Sequence, residues 1–541
     1  MTSPISRRHL LAVAPAVALS QDVLSQTIAA TAAEGLLLQA GVHRIGRDTI
    51  VRGDVHLEPG ARIEVARGAT LTVMGDFSAP ISHVFTGDGR IDLSQSRAIE
   101  AYPEWWGAIG ENGAFDCAQA IEACLASHSL TRLGAHSYFV SRTIAVERTN
   151  RRIIGSGQRW TGPGTATRIV LTGSGDVLRL GTMRKPASVN DFVQGLLISD
   201  LQLTRANPAA GSGHDAPSGV RARFILFSEI VRVDSAESVN GFAVSGAVRS
   251  FFRECSAFRS PAGGNRSSVF RGFACDGNTD IGLAGGNASI FFVDCNARTG
   301  GEPRLTENVG MLLDGAYADT VVSNFETAAV AVGIRMSGKA SAMGRPKQRT
   351  GFIDVRIVGP ILDQCSQVGI EVTDTSDHAL IDITDPYVAL GPDGRAALSF
   401  NGSRGLLSVR GGQLVGWADR ELVGVDAVAS DGLDISGLKL LNLRTPVRMQ
   451  RCRDLSLDVA INLPEGGSGR PAVQLSDCAE GHVRARVKGA VGAFGEGLLV
   501  SGAQSASLSV DSAAISPSAV GGADRRVRLD RAPATAVSLR S

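Results

Sequence analysis

An excess of either charge is the first thing missing. With 54 basic and 53 acidic side chains the formal net charge is +1, so no general field exists to hold nucleic acid or an anionic membrane surface, and nucleic acid is set aside as a partner. Aromatic residues supply only 5% of the chain. No run reaches the ~20 apolar residues that a membrane span needs. Cysteine is sparse and scattered. Cys117, Cys124, Cys255, Cys275, Cys295, Cys365, Cys452 and Cys478 form no CxxC and no Cys/His cluster at zinc spacing, which argues against a structural metal. Eight thiols in 541 residues are too few for a disulfide scaffold, so they read as free, buried and reduced. GxSxG, HExxH and phosphate-binding glycine loops are absent too, leaving serine-hydrolase, zincin and nucleotide-dependent chemistry without support.

Glycine, by contrast, is abundant, at 64 residues, or roughly 12% against a usual ~7%. Together with 43% hydrophobic and 20% charged residues, this describes a folded protein with a real core, many tight corners and small core residues.

From Thr49 the sequence alternates strictly, with Val55, Leu57, Ile63, Val65, Leu71 and Val73 on one face and turns at Gly60 and Gly68. That is strand periodicity. The clearest helix is predicted over 114–126, with Asp116 near its start and Ala120, Ile121, Cys124 and Leu125 as its apolar stripe. Beyond residue 150, short β-rich runs recur between Gly, Asn, Ser and Asp. Three of them overlay: F-F-R-E-C-S-A from Phe251, R-G-F-A-C-D-G from Arg271 and F-F-V-D-C-N-A from Phe291, with Cys255, Cys275 and Cys295 at a 20-residue interval. A fixed repeat of β-rich units implies a solenoid, each coil covering its neighbour's open face. Alternation assigns Phe251, Cys255, Ala257, Phe273, Cys275, Phe291, Val293 and Cys295 to the interior, and Glu254, Asp276 and Asp294 to the outer face of successive rungs.

The expected organisation has four parts: an anchor or export-signal-like segment (1–40), a β-rich cap with one helix (41–145), the solenoid (146–515) and a capping or subunit-contact tail (516–541). In the first part, Ser6-Arg7-Arg8-His9-Leu10-Leu11 and the apolar run to Leu19 resemble a twin-arginine export signal, with Ala16-Val17-Ala18 as a cleavage site. Pro15 breaks that run, so a short amphipathic anchor is the other reading.

The blocks H-V-F-T-G-D-G-R-I-D-L-S (83–94), Y-P-E-W-W-G-A (102–108), F-D-C-A-Q-A-I-E-A-C-L (115–125) and S-Y-F-V-S-R-T-I (137–144) resemble the pectate-lyase-like superfamily, and within it phage tailspikes. The likeness covers roughly residues 40 to 180; family members usually carry Thr-Asp where this chain has Phe115-Asp116. It implies an all-β, right-handed parallel β-helix with a small N-terminal β/α cap, commonly a homotrimer, joined to phage tail or particle proteins through its N-terminus. The implied ligand is a bacterial surface polysaccharide: capsule, exopolysaccharide or lipopolysaccharide. The location implied is a virion or phage-like particle, with secretion or the periplasm as the alternative. The superfamily holds hydrolases, β-eliminating lyases, epimerases and proteins that only bind. Its matching motifs are architectural, so no catalytic residue carries over. The expectation is binding with cleavage as a glycoside hydrolase or polysaccharide lyase. The alternatives are a non-catalytic receptor-binding spike and an exported lyase, hydrolase or epimerase.

Glycoside hydrolysis needs two carboxyl groups, about 5–5.5 Å apart for retention or 6.5–9.5 Å for inversion. Rungs about 4.8 Å apart bring Glu254, Asp276 and Asp294 forward as catalytic candidates, with Asp280, Asp314, Asp319 and Glu326 in reserve. Acidic residues that merely keep a solenoid surface soluble are the competing explanation. Arg253 and Arg271 stand beside the carboxylates as substrate-binding candidates, joined by Trp160 and Trp417 in Gly-flanked loops. No cofactor is expected for hydrolysis; calcium enters only if the reaction is elimination. Trp105 and Trp106 read as packing residues, and His214-Asp215 as a solvated turn.

Overall fold

The computed structural model describes residues 35–540 apart from 160, 261–268, 278–286, 301–307, 339–351, 418 and 464–466. The export-signal-like run, Trp160 and Asp280 therefore lie outside the described residues.

Residues up to Ile109 with Gln119–Arg132 make one compact unit. Its short strands form three separate parallel sheets of three. Val55 pairs with Leu36 below and Phe77 above, Ile63 with His43 and Phe85, and Leu71 with Thr49 and Ile91. The region expected as a cap is thus itself a three-coil solenoid. The alternating residues Val55 to Val73 point inward, each no more than 3% exposed. Trp105 closes this core: its ring meets Phe77 edge-on at 5.0 Å and its Nε1–H donates to the Pro80 carbonyl at 3.1 Å. The helix spans Ala118–Ser127, starting later than the pattern suggested. Asp116 Oδ1 accepts from the Ala118 N–H at 3.0 Å, and a residue capping in this way stands before the helix, not in it.

The second unit holds residues 110–118 and everything from Leu133 on. It is a right-handed parallel β-helix of three sheets, seen in the coil Arg271–Asp276, Asn287–Val293, Asn296–Thr299 and the next, Val309–Asp314, Tyr317–Ser323, Glu326–Ala328. Phe273 stacks under Met311 in the first sheet, Phe292 under Val322 in the second, and Ala297 under Thr327 in the third. The ladders continue to Val527–Asp530 on Leu498–Ser501 and Val537–Arg540 on Ala506–Asp511, so the last strands extend the solenoid. Aromatic residues stack coil on coil: Phe242 on Phe273 at 4.7 Å and Phe252 on Phe292 at 5.1 Å.

One set of glycines has a shared use. Gly241, Gly272, Gly310, Gly333 and Gly369 occupy the same register position of the first sheet, where a Cβ on Gly272 would lie 2.3 Å from Ala297 Cβ and one on Gly310 2.3 Å from Thr327 Cγ2. The column of missing side chains is what lets the third sheet close against the first.

The repeat itself differs from its expectation. One coil separates Cys255 from Cys295, which stack through the pairing of Ser256 with Asn296. Cys275 belongs to the first sheet, pairing with Val244 and Leu313. The 20-residue interval joins two sides of the solenoid, and the overlay succeeded because inward cysteines occur on both. All eight cysteines are buried and free. The faces shift as well: Phe252 and Phe292 are fully buried while Phe251, Phe291 and Val293 are only partly covered. The cause is a left-handed residue, Glu254 (φ 52) or Asp294 (φ 53), at the corner, which reverses the alternation before the next strand begins.

Arg205 and Arg259, only 7% and 6% exposed, fasten the loops over the first sheet. Arg259 donates to the carbonyls of Val269 at 2.8 Å and Ala209 at 2.7 Å, and Arg205 to Ser238 Oγ at 3.0 Å and the Ser218 carbonyl at 3.2 Å. Burial holds both guanidinium groups below their usual pKa range.

Candidate functional site

The corner between the second and third sheets repeats at Asp200, Arg232, Glu254, Asp294 and Asn324, each with φ between 51° and 61°. Aspartate and asparagine tolerate this region better than most residues. Side chains along the corner bind one another: Arg232 clamps Asp200 at 2.6 and 3.0 Å, and Asn324 donates to Asp294 Oδ1 at 2.9 Å.

Two residues past this corner, the third sheet carries an outward row in strict register: Gln202, Asp234, Ser256, Asn296, Glu326. This row floors a groove of about 460 Å³, walled by Glu254, Arg298, Gln158 and Arg159. Ala328, small and on the outward side of its strand, leaves room at one end, and Ser256 Oγ donates to Asn296 Oδ1 at 2.9 Å on the floor.

Asp234 is the distinctive group. Burial in the groove pushes its pKa from 3.8 up to about 6, against the opposing pull of Arg159 and Arg298. It makes no hydrogen bond or ion pair among the described residues. Its neutral form is therefore populated near physiological pH, which suits a proton donor. Glu254 lies one rung away and two residues back from the partner of Asp234, roughly 8 Å between α-carbons. Side chains on that spacing reach the separations of glycoside hydrolysis. Glu326 is three rungs from Asp234, roughly 14 Å, and falls outside that range as a direct partner.

The three carboxylates singled out from the sequence are not assembled. Glu254 lines the groove. Asp294 sits at the corner one coil on, exposed and bonded to Asn324. Asp276 is on the first sheet, paired with Asp314, because the overlay that set the three on one face crossed between sheets. Arg253, exposed, ends the strand before Glu254, and Arg271 begins a first-sheet strand. Trp417 is 53% exposed, with Nε1–H donated to the Leu390 carbonyl at 2.8 Å, three coils beyond Glu326. His214 turns away from Asp215 and meets Asp314, Nε2 to Oδ2, at 3.5 Å. Among the described residues no three acidic, histidine or cysteine side chains converge as a metal site. Asp234, Arg159 and Arg298 escaped notice in the sequence. Their one signal is the alternation V-R-V-D-S-A, which turns Asp234 outward; the register that joins it to Glu254 is set by coils of unequal length.

Neither a protein-family model nor a curated protein matches the sequence. Solved structures do. A tailspike protein of E. coli bacteriophage HK620 in complex with a pentasaccharide superposes with a TM-score of 0.55 at 10% identity, over 80% of this chain and 78% of that one. The chain has the parallel β-helix fold of phage tailspikes. A hexasaccharide complex of the HK620 tailspike gives 0.54 at 9% identity, over 80% and 77%. Tailspike protein 3 of bacteriophage CBA120 gives 0.43 at 14% identity; this chain spans 61% of its length. No helix among the described residues is long and apolar enough to cross a membrane.

Proposed function

We propose that the protein is a tailspike-like depolymerase that lays a bacterial surface polysaccharide along the third-sheet groove and hydrolyses it, Asp234 giving its proton to the leaving oxygen. The observation that carries this reading is the half-buried carboxyl of Asp234, without a hydrogen bond or close ion pair among the described residues, with Glu254 one rung away. Glu254, the second carboxyl group, activates water or attacks the anomeric carbon, and Gln202, Asn296 and Glu326 extend the floor along which further sugars bind. A rigid ladder suits this task, since neighbouring coils fix the acid and its partner before substrate arrives. Assembly as a homotrimer on a phage particle belongs to the same proposal, supported by the fold shared with tailspikes.

The test replaces Asp234 by Asn and Glu254 by Gln, and follows chain length of purified capsular and lipopolysaccharide O-chain polysaccharides by gel filtration. The expected result is at least ~100-fold slower cleavage with binding retained. Parental cleavage by Asp234→Asn would remove the acid assignment; a parent that binds without cleaving makes the protein a receptor-binding spike.

A further inference from the structure

Many arginines on the outer surface of the solenoid meet carboxylates. Arg221 meets Asp176 at 2.7 Å, Arg232 meets Asp200 at 2.6 Å, Arg335 meets Glu371 at 2.6 Å and Arg448 meets Asp426 at 2.8 Å. The groove holds two that do not. Arg159 and Arg298 are both exposed and line it, and neither makes an ion pair among the described residues. Arg298 is held in place from behind, its guanidinium 5.4 Å over the Phe258 ring, a contact that orients the cation without neutralising it. Gln158, next to Arg159, has a buried Oε1 with no hydrogen-bond partner. Two guanidinium groups, with no carboxylate within ion-pair distance among the described residues and only the longer-range pull of Asp234 between them, thus face one groove whose floor is a register-locked row of polar side chains.

We infer that the groove selects an acidic polysaccharide, a carboxylate-bearing sugar ring binding to the guanidinium groups of Arg159 and Arg298. This assignment rests on the groove being the polysaccharide site. Guanidinium pairs with carboxylate through charge-assisted, often bidentate hydrogen bonds. A neutral chain offers neither guanidinium a charged partner. The same geometry makes recognition depend on pH. Three carboxyl groups face the groove beside the two arginines, Asp234, Glu254 and Glu326; the ionised carboxylate of Asp234, which interacts with both arginines, competes with the ligand for them, and its protonation releases them. Uronic acids remain ionised where Asp234 is protonated, so binding tightens as pH falls through about 6.

The full chain is titrated with oligogalacturonate, oligomannuronate and hyaluronan hexasaccharides, and with their carboxyl-reduced neutral counterparts, at pH 5 and pH 8. At least one acidic member is expected to bind about tenfold or more tightly than its neutral form. Arg159→Met and Arg298→Met should each remove about tenfold of that preference, the scale of one charge-assisted pair. The gain at pH 5 should vanish in Asp234→Asn. A neutral series bound as tightly as the acidic one, and blocked by the groove-filling Ser256→Trp, overturns the acidic assignment and leaves the groove standing. An acid preference untouched by both arginine substitutions also overturns it. Absence of binding throughout both series overturns the assignment and the groove reading together.

Discussion

Replacing Asp234 by asparagine should make the protein more stable, and only where the carboxyl is ionised. Its pKa rises from 3.8 to about 6 on folding because the groove withdraws it from water by more than the pull of Arg159 and Arg298 offsets. The folded state then holds the proton more tightly than the unfolded chain. Relative to an unperturbed carboxyl, this favours folding below pH 3.8, fades as pH rises towards 6, and above 6 leaves an ionised group the fold disfavours. At 1.36 kcal/mol per pKa unit the full difference is about 3 kcal/mol, an upper figure because the site is partly hydrated. Asparagine keeps the shape and abolishes the titration. Urea midpoints of parent and variant, taken at half-unit steps from pH 4 to pH 8, should diverge through pH 4–6 and run parallel above about 7, with the variant the more stable by up to about 3 kcal/mol. A constant difference across that range would refute the argument, as would a variant less stable than the parent at pH 8. Lost cleavage accompanying gained stability would mark Asp234 as a residue whose folding penalty serves function.

Three further outcomes follow from the same geometry. If Asp234 is the proton donor, initial cleavage rates should fall about tenfold per pH unit above roughly pH 6, and a rate flat from pH 5 to 8 excludes it. Gly310→Ala forces a Cβ to within 2.3 Å of Thr327 Cγ2 and 2.6 Å of the Gly333 carbonyl; overpacking of this kind costs about 1–3 kcal/mol, and an unchanged urea midpoint would show that the coils can separate there. Arg259→Met strips the carbonyls of Ala209 and Val269 of their donor, so limited proteolysis should cut the 206–217 segment faster while the rest of the solenoid resists; identical digestion of parent and variant counts against the fastening role.

How much of this was legible follows from where the sequence carries its repeat. Strand periodicity from Thr49 to Val73 specified inward residues correctly, because that solenoid turns on glycines at near-constant spacing. In the longer solenoid the recurring Gly-plus-apolar pair, at Gly241-Phe242, Gly272-Phe273, Gly310-Met311, Gly333-Ile334 and Gly369-Ile370, marks one position per coil, whereas the more conspicuous Cys255–Cys275–Cys295 spacing mixes two sheets. Register partners stand 22 residues apart at Val423 and Thr445 but 38 apart at Arg271 and Val309, so no fixed period extrapolates. Glu254 could be found from its strand. Its neighbourhood with Asp234 could not, since that depends on loop lengths which local pattern does not encode.

The left-handed corner at Glu254 and Asp294 has a bearing on how such a molecule changes over generations. Because inside and outside are reassigned at each bend, a residue gained or lost between two bends misdirects one strand at most; the next bend restores the phase. Insertions accumulate between sheets while the stacked core stays in step. The outward row that runs from Gln202 to Glu326 then behaves as a strip of independently replaceable tiles, each supplied by its own coil. One tile can be exchanged without recasting the wall that bears it.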